Sequence, residues 1–187
     1  MESEEVCNEA RSIAAEIGDV VWYAHATRTI GMAAYAGGDH ARAEALLREA
    51  LDDLELIGDE RCAVTMNSFL GMVELERSRF GFAARHLEAA LCGVLSLDSS
   101  GRRGGSHLVR AALLAARVGD LEAAAHFGAA AGPVAAGSPT FQTERQQLDS
   151  LIGGLAPDVR AAITVTAAQT PLPDTIGEAV AWLRAVS

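Results

Sequence analysis

The chain has 187 residues, of which 50% are apolar, so it can bury a sizeable core. Its formal net charge of -10 argues against a nucleic-acid-binding surface, because phosphate contacts require a concentrated basic face. No apolar run approaches the length of a membrane span, and the first residues are acidic where a secretion signal would be basic. The cysteines are odd in number and lack Cys-x-x-Cys spacing, which is typical of a reducing compartment. We therefore expect a soluble cytoplasmic protein without membrane contact.

Apolar residues recur at positions i, i+3, i+4 and i+7 along nearly the whole chain, and no stretch alternates like a strand. Pairs such as Gly18-Asp19 and Gly58-Asp59 separate the apolar stripes, where a glycine can end one helix and an aspartate can cap the next. The expected fold class is therefore all-α. We predict ten helices, at residues 4–17, 20–36, 40–57, 60–79, 81–97, 105–118, 121–135, 140–153, 157–168 and 174–186.

The chain repeats itself after forty residues: Ile17-Gly18-Asp19 returns as Ile57-Gly58-Asp59, and Gly31 returns as Gly71. Because each helical pair leaves an apolar face that only its neighbours can cover, this period predicts a solenoid of stacked helical hairpins. Ala10 stands where Ala50 stands in the next unit, so the first helix is expected to be the second half of a partial repeat.

Gly31 and Gly71 lie inside predicted helices, where glycine costs about 1 kcal/mol relative to alanine. We infer that the partner helix approaches too closely for a side chain, and we expect Gly71→Leu to destabilise by about 1–3 kcal/mol or more. Gly104→Ala, in the Gly/Ser-rich linker after Asp98, is expected to be nearly neutral. The same linker carries Arg102-Arg103, which could form a phosphate nest but which we interpret as part of a flexible, solvated loop.

A small residue followed by Met or Leu recurs in the first helix of each unit, and alanines recur in the second. The positions are Gly31-Met32, Gly71-Met72 and Ala112-Leu113, with Ala43, Ala50, Ala83, Ala90, Ala124 and Ala131. This pattern resembles the tetratricopeptide repeat over residues 4–136, although the early aromatic and the final proline are absent and the period exceeds the usual length of about thirty-four residues. The resemblance implies tetratricopeptide-like repeats at 1–136, the first one partial, and a helical capping segment at 137–187.

The second half of the chain carries a second resemblance. His126-Phe127-Gly128-Ala129-Ala130, residues 141–158, Thr170-Pro171-Leu172 and residues 176–180 are similar to the end of the repeat region in actinobacterial LuxR-type and ATP-binding transcriptional regulators. Those regulators also carry an ATPase module and a DNA-binding module. We expect this chain to have neither, and it lacks the Gly-x-x-x-x-Gly-Lys segment with which an ATPase module would bind phosphate. The resemblance therefore implies the part that senses an inducer or a partner.

In the tetratricopeptide family the first helix of each pair lines a concave groove, which implies twelve binding residues here. They are His25, Arg28, Met32, Tyr35, Thr65, Ser68, Met72, Leu75, Ser106, Val109, Leu113 and Arg117. The methionines would adapt to varied partners, and Arg28 and Arg117 could hold a carboxylate. We expect a peptide, a partner helix or a small acidic ligand in the groove. The alternative is that these residues fill the seam between helices, or that the terminal helices of the protein occupy the groove.

No pattern indicates catalysis. The five histidines show no His-Glu-x-x-His spacing, no serine lies in a Gly-x-Ser-x-Gly turn, and the cysteines lack a nucleophile signature. We therefore expect no metal, no cofactor and no enzymatic activity. The expected function is a non-catalytic interaction or effector-sensing domain of a bacterial transcription regulator, with the parent ATPase module as one candidate partner. The alternative is a free-standing repeat adaptor or homodimer, and an enzyme is the least favoured.

Overall fold

The computed structural model describes residues 2–132 and 139–187, and these residues form ten α-helices and no strand. The helices are α1 Glu2–Ile17, α2 Val20–Ala36, α3 His40–Leu56, α4 Glu60–Glu76, α5 Phe80–Leu97, α6 Gly105–Arg117, α7 Leu121–Ala130, α8 Pro139–Ile152, α9 Pro157–Gln169 and α10 Leu172–Val186. All ten predicted helices are confirmed. The one large boundary error is at the end of α7, which stops at Ala130 instead of continuing to residue 135.

Glycine and aspartate pairs join the helices as predicted. A glycine with positive φ precedes each capping aspartate, and the aspartate side chain accepts a hydrogen bond from the backbone N–H three residues later. These pairs are Gly18-Asp19, Gly38-Asp39, Gly58-Asp59 and Gly119-Asp120. The α4–α5 junction instead uses Ser78, with φ 57°, and Arg79, which makes no capping hydrogen bond.

The helices pack as neighbouring hairpins, α2 with α3, α4 with α5 and α6 with α7. Gly31 and Gly71 occupy equivalent places in this array. A Cβ atom on Gly31 would lie 3.1 Å from Leu47 Cγ, and one on Gly71 would lie 2.7 Å from Leu87 Cγ. Because Leu47 and Leu87 are themselves forty residues apart, the repeat register and the close helix approach are both confirmed. The molecule is an all-α solenoid of helical hairpins.

The first helix packs on α2 in the position of the second helix of a unit. Arg11 donates a hydrogen bond of 2.7 Å to Glu49 Oε1, which also accepts from Tyr23 at 2.5 Å, so this cluster joins α1, α2 and α3. Ala10 is exposed, whereas its counterpart Ala50 is fully buried. The outer face of α1 is therefore open to solvent.

The last three helices pack against the second half of the array. α8 lies on α6 and α7, α9 on α7, and α10 on α5, α6 and α7. Ile176 and Leu183 of α10 are fully buried, and Trp182 Nε1 donates a hydrogen bond of 2.8 Å to Asp120 Oδ2. The expected boundary between repeats and capping segment, at residues 136 and 137, lies outside the described residues, so that division stays a prediction.

The linker between α5 and α6 is only partly the solvated loop predicted from its sequence, since Ser99, Ser100, Arg102 and Arg103 are exposed. Gly101 and Gly104 are buried beneath α10, and a Cβ atom on Gly104 would lie 2.6 Å from Ile176 Cδ1 and 3.0 Å from Gly101 O. Asp98 Oδ1 also accepts hydrogen bonds from the backbone N and the Oγ of Ser100. Because α10 occupies the space beside the linker, we now expect Gly104→Ala to require a shift of the Ile176 side chain and to lower stability rather than to be neutral.

Among the described residues, α5 alone is long and apolar enough to cross a membrane, by length and composition only, with a mean hydropathy of 1.2 over 18 residues. From the sequence, no apolar run is expected to be as long as a membrane span, and Phe80–Leu97 is an exception to that expectation. One such helix is weak evidence for a membrane span. α5 packs between α4 and α10, with Leu87 and Leu91 fully buried, so it can be apolar on two faces.

Candidate functional site

A cavity of about 700 Å³ lies among α2, α4, the end of α5, the linker that follows it, α6 and the first turn of α8. We call it the principal pocket. Its apolar lining is formed by Met32, Val64, Phe69, Val94, Leu97 and Phe141, and its polar lining by Arg61, Thr65, Asp98, Arg102, Arg103, Ser106, His107 and Arg110. Four arginines thus face one aspartate in a chain whose formal net charge is -10. The pocket is locally cationic in an acidic protein.

Arg110 is fully buried at the edge of this pocket and connects three helices. Its Nε lies 3.0 Å from Glu144 Oε2 of α8, and its Nη1 donates a hydrogen bond of 3.0 Å to Ser68 Oγ of α4. The guanidinium carbon lies 3.9 Å from the ring centroid of Phe69 and 4.8 Å from that of Phe141. Glu144 is 2% exposed and balances the arginine charge, although burial still raises the pKa of its carboxyl.

Two buried polar atoms in the pocket lining have no hydrogen-bond partner among the described residues. They are Nδ1 of His107 and Nη2 of Arg110. Burial, with a smaller contribution from the positive charge of Arg110, lowers the pKa of His107 to about 3, so its imidazole is neutral. A buried polar group without a partner costs free energy, which makes these two atoms candidates for contact with a ligand.

The linker and the start of α6 bring further donors to the pocket. Arg102 Nε donates to Ser100 Oγ at 3.2 Å, while no described residue accepts a hydrogen bond from the side chains of Arg61 and Arg103. Ser106 and His107 belong to the first turn of α6, whose capping residue Gly104 offers no side chain to their backbone N–H groups. A helix N-terminus of this kind favours negative charge.

Three of the twelve predicted groove residues line the principal pocket. They are Met32, Thr65 and Ser106, one from the first helix of each unit. Thr65 and Ser106 occupy equivalent positions of their units, whereas Met32 is equivalent to Met72 and Leu113, so the pocket does not follow a single row of repeat positions. Their role as ligand contacts stays a prediction.

Most of the remaining groove residues lie close to α8. Ser68, Met72, Leu75, Val109 and Leu113 are buried. Met72, Leu75, Leu113 and Arg117 share a smaller cavity of about 450 Å³ with residues of α8, and Tyr35 shares another, of about 360 Å³, with Glu144. At these positions α8, one of the terminal helices, lies over the groove, as in the alternative given from the sequence.

His25 and Arg28 lie away from the principal pocket and beside the start of α4. His25, Asp59 and Cys62 bring their ligand atoms within 4.8 Å of one another, and His25 Nε2 is 3.6 Å from Asp59 Oδ2. Such a set could hold a metal ion. However, Arg28 Nη1 donates to Cys62 Sγ at 3.2 Å, and a guanidinium cation at that thiol opposes a second cation, so we assign no metal site.

Sequence reasoning missed the charged part of the pocket. From the sequence, Arg102 and Arg103 could form a phosphate nest but are interpreted as part of a solvated loop, and no pattern singles out Arg110 and Glu144. One signal was available: Arg110 interrupts the apolar run from Leu108 to Leu114, and a charge in such a run is buried only when it is paired. Its partner could not be identified, because Glu144 lies 34 residues further along the chain.

Comparisons with protein-family models, curated proteins and solved structures found no match to this chain. The chemistry of the principal pocket is therefore argued from its own residues. Its apolar walls, arginines and unpartnered donors are suited to binding a ligand.

Proposed function

We propose that the chain is a non-catalytic sensing domain of a cytoplasmic bacterial transcription regulator and that it holds a small ligand in the principal pocket. The observation that carries the proposal is a cavity of about 700 Å³ with apolar walls and a few convergent polar groups. Small-molecule sites in proteins have volumes of about 300–1,000 Å³ and this same mixed lining. The assignment to a regulator rests on the resemblance of residues 126–180.

The position of α8 favours a small ligand over a peptide or a partner helix. A helix bound along the groove would have to contact Met72, Leu75 and Leu113, which are at most 3% exposed. It would also have to displace the ion pair of Arg110 and Glu144, and separating a buried ion pair is costly. The principal pocket requires no such displacement.

The location of the pocket suits a sensor. Its walls come from three successive hairpin units, the linker and α8, so a bound molecule would contact all of them at once. A ligand shifts a conformational equilibrium only if it binds one arrangement of these elements better than another. In an array of packed units, different conformations differ mainly in how neighbouring units are packed, and the principal pocket lies at those boundaries.

A pocket-filling substitution tests this proposal. Thr65 lines the pocket, and its Oγ1 donates to the carbonyl four residues earlier, as does that of the exposed Thr164 on α9. In a thermal-shift screen of small molecules, we expect binders to stabilise wild type and Thr164→Trp but not Thr65→Trp. The proposal is wrong if binders stabilise Thr65→Trp equally, or if only peptides bind.

A second candidate, a homodimer or adaptor, is favoured by one observation. Val6, Ile13 and Ile17 form an apolar stripe on the outer face of α1 and are 49–71% exposed, and Trp22 on α2 is 68% exposed. Stripes of this kind commonly mark protein contacts. If it joins two copies, light scattering will give a dimer that Ile17→Arg converts to a monomer. A wild-type monomer at high concentration excludes the homodimer.

A further inference from the structure

The principal pocket has a different chemical character at its two ends. Along α4, Arg61 lies in the first turn and Phe69 lies eight residues later, about 12 Å along the helix axis. Because α4 and α6 are the first helices of successive units, their first turns lie at the same end of the array, which places Arg61 at the same end as Arg103 and the start of α6. Phe69 and Phe141 both lie against the guanidinium of Arg110, and Met32 packs in the same apolar cluster as Phe69. We call these the arginine end and the aromatic end.

We propose that the principal pocket binds an organic anion, with a carboxylate or phosphate at the arginine end and an apolar, ring-containing body at the aromatic end. This inference rests on the proposed function and specifies the class of its ligand.

The arginine end has hydrogen-bond donors that the described residues do not satisfy. The guanidinium groups of Arg61 and Arg103 have no hydrogen-bond acceptor there. The one acidic residue in the lining, Asp98, accepts hydrogen bonds from Ser100, which lower its pKa, and the charges of Arg102 and Arg103 contribute less. Guanidinium groups bind carboxylate and phosphate oxygens through paired, charge-assisted hydrogen bonds. An anion is therefore the ligand that satisfies them.

The start of α6 adds an independent contribution at the same end. Its first backbone hydrogen bond runs from Leu108 N to Gly104 O, which leaves the N–H groups of Ser106 and His107 without a described acceptor. The unpartnered Nδ1 of His107 belongs to the same turn, and this residue is only 8% exposed. A neutral imidazole can donate a hydrogen bond to an oxyanion.

The aromatic end suits an apolar body and not a second anion. Arg110 lies there, but Glu144 already compensates its charge, and its guanidinium lies against the rings of Phe69 and Phe141. Its unpartnered Nη2 can donate a hydrogen bond to one neutral polar group on the ring-containing body. Phe69 is 2% exposed and packs in the same apolar cluster as Met32. Flat apolar groups pack well against such a surface.

Isothermal titration with matched probes tests the inference. Naphthoate and naphthyl phosphate carry the anion on the same ring system as the neutral naphthamide, and benzoate with benzamide provides a smaller pair. We expect at least one acid of each size to bind wild type at least about tenfold more tightly than its amide. We also expect this preference to weaken as the ionic strength rises. Inorganic phosphate shows whether the anion suffices without the ring.

The arginine variants identify the site. Arg61 and Arg103 are exposed, so Arg61→Gln/Arg103→Gln should fold normally, which circular dichroism will check. This variant should bind acids and amides alike, whereas Arg160→Gln on α9 should keep the preference for acids. Amides that bind wild type as tightly as acids would overturn the anion site and leave the proposed small-ligand function intact. A double variant that still prefers acids to amides would also overturn the anion site. A failure of every acid to bind wild type would overturn it as well.

Discussion

At the scale of single residues, the ion pair of Arg110 and Glu144 is the most consequential interaction in the protein. Both side chains are at most 3% exposed, and they connect α8 to the array. We expect Glu144→Leu to lower the free energy of unfolding by about 3–5 kcal/mol, because it leaves a buried guanidinium unpaired. Arg110→Met combined with Glu144→Leu should recover most of the loss. Urea denaturation measures both variants.

The matched control for this pair is Asp149→Leu on the same helix. Asp149 pairs with Arg145 four residues away and is 55% exposed, so its loss should change the free energy of unfolding by less than about 1 kcal/mol. Equal effects of Glu144→Leu and Asp149→Leu would show that α8 does not depend on the buried pair.

A buried histidine, His107, and a half-buried one, His86, make stability depend on pH. Burial, with smaller contributions from nearby arginines, lowers the pKa of His107 to about 3 and that of His86 to about 4. The unfolded chain takes up these protons near pH 6.5, whereas the folded chain does not until the pH is much lower. Stability from these residues is therefore complete above pH 6.5 and falls as the pH drops from about 6.5 towards 4. Glu144, whose pKa burial raises, acts in the opposite direction.

Urea titrations at a series of pH values measure this slope. His107→Gln removes one titrating group and should reduce the slope by up to about 1.4 kcal/mol per pH unit in the acid range. His25→Gln, a half-buried histidine outside the pocket, is the control. An unchanged slope in His107→Gln would mean that His107 is protonated in the folded protein.

At the scale of elements, the α4–α5 junction departs from the Gly-Asp pattern of the α1–α2, α2–α3, α3–α4 and α6–α7 junctions. Ser78 takes the left-handed conformation, with φ 57°, that Gly38 takes forty residues earlier with φ 81°. A side chain in this region costs about 1 kcal/mol, and glycine avoids that cost. We expect Ser78→Gly to raise the free energy of unfolding by up to about 1 kcal/mol in a urea melt. The reciprocal Gly38→Ser should lower it, and a loss of stability in Ser78→Gly would contradict the assignment.

The close contact between α4 and α5 belongs to the same scale. Gly71→Leu would place new atoms where Leu87 already lies, so we expect a loss of at least about 1–3 kcal/mol in a denaturant melt. Gly177 is the matched control, because it lies inside a helix and a Cβ atom added there would meet no other atom within 4 Å. Gly177→Ala should stabilise by about 1 kcal/mol through helix propensity. Similar losses in both variants would mean that the helices are further apart.

At the scale of the whole molecule, α10 makes the array more than a chain of nearest neighbours. In a simple solenoid each unit contacts only the adjacent ones, but α10 packs on α5, about 90 residues earlier in sequence, and on α7. Leu183 is fully buried at this contact. We expect Leu183→Ala to destabilise by about 2–5 kcal/mol and to reduce hydrogen-exchange protection in α5 and α7 as well as in α10.

Val165→Ala on α9 is the control for this prediction, because Val165 is 56% exposed and its truncation should cost little. If Leu183→Ala affects exchange only within α10, the terminal helix is an appendage and the array folds without it.

The sequence by itself determined the helices, their junctions and the repeat register. These features depend on neighbouring residues: apolar spacing of 3.6 residues, a glycine that can take positive φ, and an aspartate that caps the N–H three residues ahead. Gly71 and Leu87 illustrate this, since a local glycine signal predicted a close contact that recurs with the period of the chain.

Only the tertiary structure decided how the pocket is built and covered. Arg110 pairs with a carboxylate 34 residues away, α8 lies over part of the groove, and α10 holds the linker of Arg102 and Arg103 in place. Non-periodic helices such as α8 and α10 can pack on any exposed apolar face that their length allows. Burial and charge pairing select among those faces, and both depend on residues that are distant in sequence.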